Sequence, residues 1–165
     1  KVQLDLAAKY GLEYEAPAGG CLLTNVEYGR KVKDLLKADG QLTIDRLRLL
    51  RIGRHFRLSP HFKGIVGRNH QENQTLFRFF LENRHTEDLY LFKALGAPGP
   101  LTLGLGHPEG DDLANLARLT SRYSDHPLET SVTVKILTSG TRHHLCSLSI
   151  TKDHKSLDSN LFRIT

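Results

Sequence analysis

Between Arg46 and Gln71 the chain carries Arg46, Arg48, Arg51, Arg54, Arg57, Lys63 and Arg68, and no Asp or Glu. His55, His61 and His70 lie among them. These seven cations exceed the net charge of +5 of all 165 residues, so the basicity is local and the remainder is slightly acidic. A local excess is what neutralising a run of phosphates requires. Arg is used almost to the exclusion of Lys, and its planar fork grips phosphate through two bonds and stacks on flat groups. A solvated helix face followed by ordinary strand arginines is the competing reading, and residue types alone leave both open.

Other groups have reactive chemistry in principle. Cys21, in "APAGGCLLTN", follows two glycines and stands near a helix start, a setting that favours the thiolate. No second Cys or base is adjacent to it. Cys146, in "HLCSLSI", reads as a small apolar residue packed inside. With His143 and His144 it makes a cluster of metal-binding types, but a second pair at ligand spacing is missing and strand alternation turns His143 away from the other two. No metal is expected. In "GLGHPEG" the third glycine, Gly110, comes one residue late for a dinucleotide fingerprint, and Pro108 interrupts the helix that should follow. There is no Walker A sequence and no pyrophosphatase loop, so no cofactor is expected in this fragment.

The elements that would position these groups can be read from capping and periodicity. "LDLAAKYGL" reads as a helix end stopped at Gly11, and "EYEAPAGG" as a loop. Thr24 or Asn25 caps a helix through "VEYGRKVKDLLKA", and Thr43 caps a short one in "LTIDRLRLLRIG", with Gly53 at its C-terminal end. "RHFRLS" alternates as a strand, "PHFKG" turns the chain and "IVGR" returns. Asn69 and Glu72 form a capping box ahead of an apolar stripe of Leu76, Phe79 and Phe80. "DLYLFKAL", "LTLGLG", "SVTVKIL", "HHLCSLSI" and "NLFRI" read as strands, with an amphipathic helix in "DDLANLARLTSRYS". Helices and strands mix without strict alternation, which predicts an α+β fold: a mainly antiparallel sheet with two or more packed amphipathic helices. No apolar run approaches the roughly 20 residues of a membrane span, so no membrane partner is expected. Two distant cysteines fit a reducing cytoplasm. A chain that neither begins with Met nor contains one reads as a piece of a longer protein, cut at a domain boundary, with a trimmed native N-terminus as the alternative.

"PAGGCLLTN", the helix after it and "LLRIGRHFRL…IVGRNHQEN" resemble the C-terminal region of bacterial tRNA 2-thiouridylase-like proteins, which carry an ATP pyrophosphatase domain upstream. The remaining pattern resembles the RNA-binding NFACT-R domain: Gly67, Arg68 and Asn73 in "GRNHQEN", Asp88 in "DLYLF", the turn Pro98-Gly99, and "LARLTSRYSD" before "SVTVKI". Phe92 stands where that pattern usually has His, so a role tied to that imidazole does not carry over. The resemblance implies a connecting segment over 1–40 and an NFACT-R-like domain over 41–165. It implies a partner, tRNA or another structured RNA, held for the upstream domain, where ATP would adenylate a uridine oxygen that sulfur then replaces. Phosphate contact then falls to Arg51, Arg54, Arg57, Lys63 and Arg68, with Arg122 and Lys135 beside them. His55 would stack or hydrogen-bond. The hairpin tip and the "GRN" helix start would bring Arg54, Arg57, Lys63 and Arg68 together. Gly67, Asn69 and Asn73 would order the loop, and Asp88 would pair with one of the arginines. Two alternatives stay open: Cys21 takes part in sulfur transfer, or the domain docks on protein.

Overall fold

The computed structural model describes residues 9–10, 25–40, 42–85, 88–139, 145–152 and 162–164. Cys21, His143, His144, the "APAGG" loop and the helix stop at Gly11 lie outside them. Among the described residues a six-stranded antiparallel sheet packs with four helices, an α+β fold. The elements are α1 (Val26–Asp39), α2 (Ile44–Leu49), β1 (Arg54–Ser59), β2 (Phe62–Val66), α3 (His70–Asn83), β3 (Leu89–Ala94), β4 (Leu101–Gly106), α4 (Asp112–Arg122), β5 (Ser131–Thr138) and β6 (Leu145–Thr151).

Local chemistry explains where the helices begin. The side chains of Asn25, Thr43 and Asn69 accept the amides of Tyr28, Arg46 and Glu72, each satisfying a donor that the first helical turn leaves without a partner. Gly40, at φ 67°, closes α1 in the left-handed region that favours glycine.

The strand order is β1-β2-β4-β3-β5-β6, three antiparallel pairs laid side by side. The first and second pairs are joined through α3, the second and third through α4. Strand alternation gives each face its own core. Leu76, Phe79 and Phe80 of α3 pack on Ile65, Leu89, Leu91, Leu103 and Leu105. Leu116, Ala117 and Leu119 of α4 pack on the opposite face, against Phe56, Phe62, Phe92, Val132, Val134 and Ile136. Gly64 and Gly104 sit opposite each other there, and Leu116 fills the space their Cβ atoms would take. Phe92 is fully buried in this core.

Three expectations are corrected. The turn between β1 and β2 is only Pro60-His61, because Phe62 to Val66 all pair in β2. The described part of "NLFRI", Phe162 to Ile164, makes a single bridge from Arg163 to Phe56, with the Ile164 amide donating to the His55 carbonyl at 3.0 Å, and no strand among the described residues. Cys146 is exposed rather than packed inside. It lies opposite Ile136 on the edge strand β6, where α4 packs against Leu148 and Ile150 instead.

Candidate nucleic-acid interface

The basic window divides between the two faces of the sheet. On β1, Arg54 shares a face with Phe56, and His55 and Arg57 point to the other. In register, Arg54 lies opposite Val66 at the open end of the β1–β2 hairpin, whereas Arg57 lies opposite Lys63 near its tip. The four cations expected together therefore form two groups.

The first group is bound up in the fold. Arg57 donates from Nε and Nη2 to both carboxylate oxygens of Asp34, at 3.0 and 2.8 Å, and Lys63 Nζ donates to Oδ2 at 2.9 Å. The Lys63 side chain is 6% exposed, which removes it from surface contact. Burial pushes the Asp34 carboxyl up, but the bonds from Arg57 and Lys63 outweigh it and hold it below its ordinary value. The triad ties α1 to the hairpin. His55 is 1% exposed, with Nε2 2.8 Å from the Ile52 carbonyl, so it cannot stack on a base. Burial first, then Lys63 and Lys31, hold its imidazole well below the usual value and keep it neutral.

The second group surrounds the start of α3. The Arg54 guanidinium lies 4.7 Å from the ring centroid of Tyr123, over its face. Arg68 is half exposed and meets Glu72 through Nε and Nη2, while its amide donates to Glu72 Oε2 at 2.8 Å. Burial works to raise the Glu72 carboxyl, and the Arg68 side chain and amide bring it below its ordinary value. Arg51 is exposed, and its carbonyl accepts from Arg68 Nη2 at 3.5 Å.

Gly67 and Asn73 shape the floor. Asn73 Oδ1 accepts the Leu101 amide at 3.0 Å, and the Gly67 amide donates to the Leu101 carbonyl at 3.0 Å. A Cβ on Gly67 would run into Asn73 Oδ1. The Pro98 carbonyl accepts the Asp125 amide at 2.8 Å, and Gly99 lies against Ser124 where a Cβ would not fit. The loop before β4 is thereby held to the end of α4. The result is an open cleft lined by Arg54, Arg68, Asn69, Asn73, Tyr123 and the exposed Asp125, among others.

The remaining expected residues fall elsewhere. Arg122 is half-buried in the last turn of α4. Lys135 is exposed on β5, opposite Lys93 of β3. Asp88 pairs with His107, Oδ2 to Nδ1 at 3.3 Å, and not with an arginine, because β3 begins beside the end of β4. Sequence reasoning did not single out Asp34 or Tyr123. A buried lysine needs a counter-charge, so an acid for Lys63 was to be expected. Nothing in the sequence identified which one.

No curated protein matches the chain. Among solved structures it is similar to the C-terminal of the fibronectin/fibrinogen-binding protein from Streptococcus suis (FBPS), at 14% identity and a TM-score of 0.49. The similarity covers 83% of this chain and 66% of that one, so this chain spans just under two thirds of its length. Residues 53–157 match the family described as the NFACT protein RNA binding domain. That span contains Arg54, Gly67, Arg68, Asn73, Gly99 and Tyr123. Through it, the chain belongs to the NFACT protein RNA binding domain family.

Proposed function

We propose that the cleft between Arg54 and Arg68 is where this RNA-binding domain holds its RNA. The observation that carries this reading is Arg54. Its guanidinium carbon lies 4.7 Å from the Tyr123 ring centroid, over the ring, and among the described residues its N–H donors meet no acceptor. A guanidinium held over an aromatic ring keeps its N–H donors for an anion, with less rotamer freedom left to lose. Arg68 is oriented beside it by Glu72, with Nη1 outside that pair. The start of α3 adds backbone amides at the same rim.

The RNA is tRNA or another structured RNA, and the chain is the C-terminal module of a tRNA-thiolating enzyme. An upstream ATP pyrophosphatase domain activates the uridine, and this domain positions it. Support comes from the resemblance of the "PAGGCLLTN" stretch to thiouridylase-like proteins and from the position of the cationic cleft within the RNA-binding family match. Cys21 would stand at the seam between the two activities, where a thiol could relay sulfur. A Cys21→Ala protein that thiolates tRNA at the normal rate would remove that role.

The test is filter binding of tRNA across a salt series. Arg54→Gln should weaken binding several-fold and reduce the slope of log affinity against log salt by about 0.7–0.9, the release expected for one phosphate contact. Unchanged affinity and slope would refute the cleft as the binding face.

A further inference from the structure

The Arg54–Arg68 cleft does not end at α3. It shares His70, Asn73, Gly99 and Pro100 with a second depression along the side of that helix. That one shares Phe77, Lys93 and Leu101 with a third, floored mostly by leucines, which crosses the sheet to Lys135 and Leu145. The three form one furrow. Its middle is marked by Phe77, 45% exposed on the flank of α3 beside Lys93 and Leu101.

The far end has an unusual charge arrangement. Lys93 and Lys135 are directly opposite on neighbouring strands, and both are exposed. Like charges in that register repel, a cost the sheet would avoid if the site had no use. Among the described residues neither lysine has a hydrogen-bond or ion-pair partner. Their row continues into Leu101 on one side and Ser147 on the other, with no carboxylate. On the same face Thr133, Ser147 and Ser149 are exposed.

We propose that a single, unpaired RNA strand runs along this furrow from the Arg54–Arg68 cleft, past α3 with a base stacked on Phe77, to phosphate contacts at Lys93 and Lys135. The proposal rests on the RNA-binding reading of the cleft and extends it to the form of RNA recognised. An aromatic lying between cations at the foot of a groove suits unpaired bases, because each offers a π-face to stack. A duplex hides those faces and presents phosphates along a cylinder. The span is also appropriate. From His70 to Phe77 the helix rises about 10 Å, and crossing from one strand to the next adds about 5 Å. That accommodates roughly four stacked nucleotides at about 3.4 Å each. In a folded RNA the strand would be a loop or an end.

The experiment measures anisotropy of a labelled ten-nucleotide oligouridine and of a twelve-base-pair RNA duplex with the whole chain. Lys93→Gln/Lys135→Gln should weaken oligouridine binding about tenfold and lower its salt slope by about 1.4, at about 0.7 per contact on a single strand. The chain contains no Trp, so Phe77→Trp supplies one emitter in the furrow, and its fluorescence should be quenched as oligouridine binds. If oligouridine binds but neither the lysine pair nor the Trp emission responds, the path is overturned and the Arg54 cleft survives. Preference for the duplex would overturn the path and leave the RNA-binding reading intact. Binding of no RNA would overturn both.

Discussion

Replacing Asp34 by Ala tests whether Arg57 and Lys63 belong to the fold rather than to the RNA face. The carboxylate receives three bonds, from Arg57 Nε and Nη2 and from Lys63 Nζ, all between 2.8 and 3.0 Å. Its side chain is 17% exposed, that of Arg57 20% and that of Lys63 6%. Removing it leaves two neighbouring cations without the anion that bridges them. Breaking a buried ion pair from one side costs about 3–5 kcal/mol, and the partial exposure of Arg57 favours the lower end, about 3 kcal/mol. For a chain of this size that lowers the melting temperature by about 6–12 °C. Urea unfolding at neutral pH measures it directly. The pH dependence gives an independent signature. Because the native carboxyl lies below its ordinary value, the unfolded chain binds more protons in acid. The Asp34 contribution is therefore complete above about pH 4, the unfolded carboxyl value, and disappears as the pH falls through the lower native one. The gap between wild type and Asp34→Ala should close over that range. Adding Lys63→Met to Asp34→Ala should recover much of the loss, since the buried charge goes with its counter-charge. A loss below about 1 kcal/mol, as for an exposed pair, would refute the reasoning. So would a gap unaffected by acid.

Further outcomes follow from the same contacts. Arg57→Gln should leave the salt slope of RNA binding unchanged in folded protein, unlike Arg54→Gln, and equal losses of slope would abolish the distinction between the two groups. Gly67→Ala should cost about 1–3 kcal/mol by driving a methyl into Asn73 Oδ1. Asn73→Ala should cost a similar amount by depriving the Leu101 amide of its acceptor. The double variant should lose less than the sum in urea unfolding, because the clashing atom has gone. His55 stays neutral when buried, while the unfolded imidazole protonates below about pH 6.5. Stability should therefore fall by about 1 kcal/mol between pH 7 and pH 5.5 from this residue alone, and His55→Gln should flatten that limb.

Local chemistry made most of the fold legible. The amide acceptors Asn25, Thr43 and Asn69 act within three residues of their own position, and the alternation of "RHFRLS" and "SVTVKIL" is a property of each strand. The site was less legible because its partnerships are distant. Asp34 meets Arg57 across 23 positions and Lys63 across 29. Lys93 faces Lys135 only because β3 lies between β4 and β5. Tyr123 reaches Arg54 only because α4 covers the face on which Arg54 lies. One error was avoidable from sequence. Positions 54 and 57 are three apart on a strand, so they cannot share a face, and grouping them ignored the alternation already used to find the strand.

That alternation also separates the members of the basic window. A run of seven cations with no acid would repel itself if all of it faced one way. The sheet divides the run. Its inward members neutralise Asp34 and bind α1 to the hairpin. Arg54, on the other face, and Arg68, just past the end of β2, meet at the start of α3, where Tyr123 and Glu72 fix their orientation without enclosing them. Glu72 offsets the charge of Arg68 when no RNA is present, and Tyr123 supports Arg54 without neutralising it. Among the described residues Arg54 meets no acceptor, and on the proposed reading an RNA phosphate supplies one. Of the two cations, Arg54 has the less compensated charge, so removing it should reduce the salt dependence of RNA binding more than removing Arg68. A larger reduction for Arg68→Gln than for Arg54→Gln would mean that the Glu72 pair opens to release Arg68, and that Arg68 makes the principal contact.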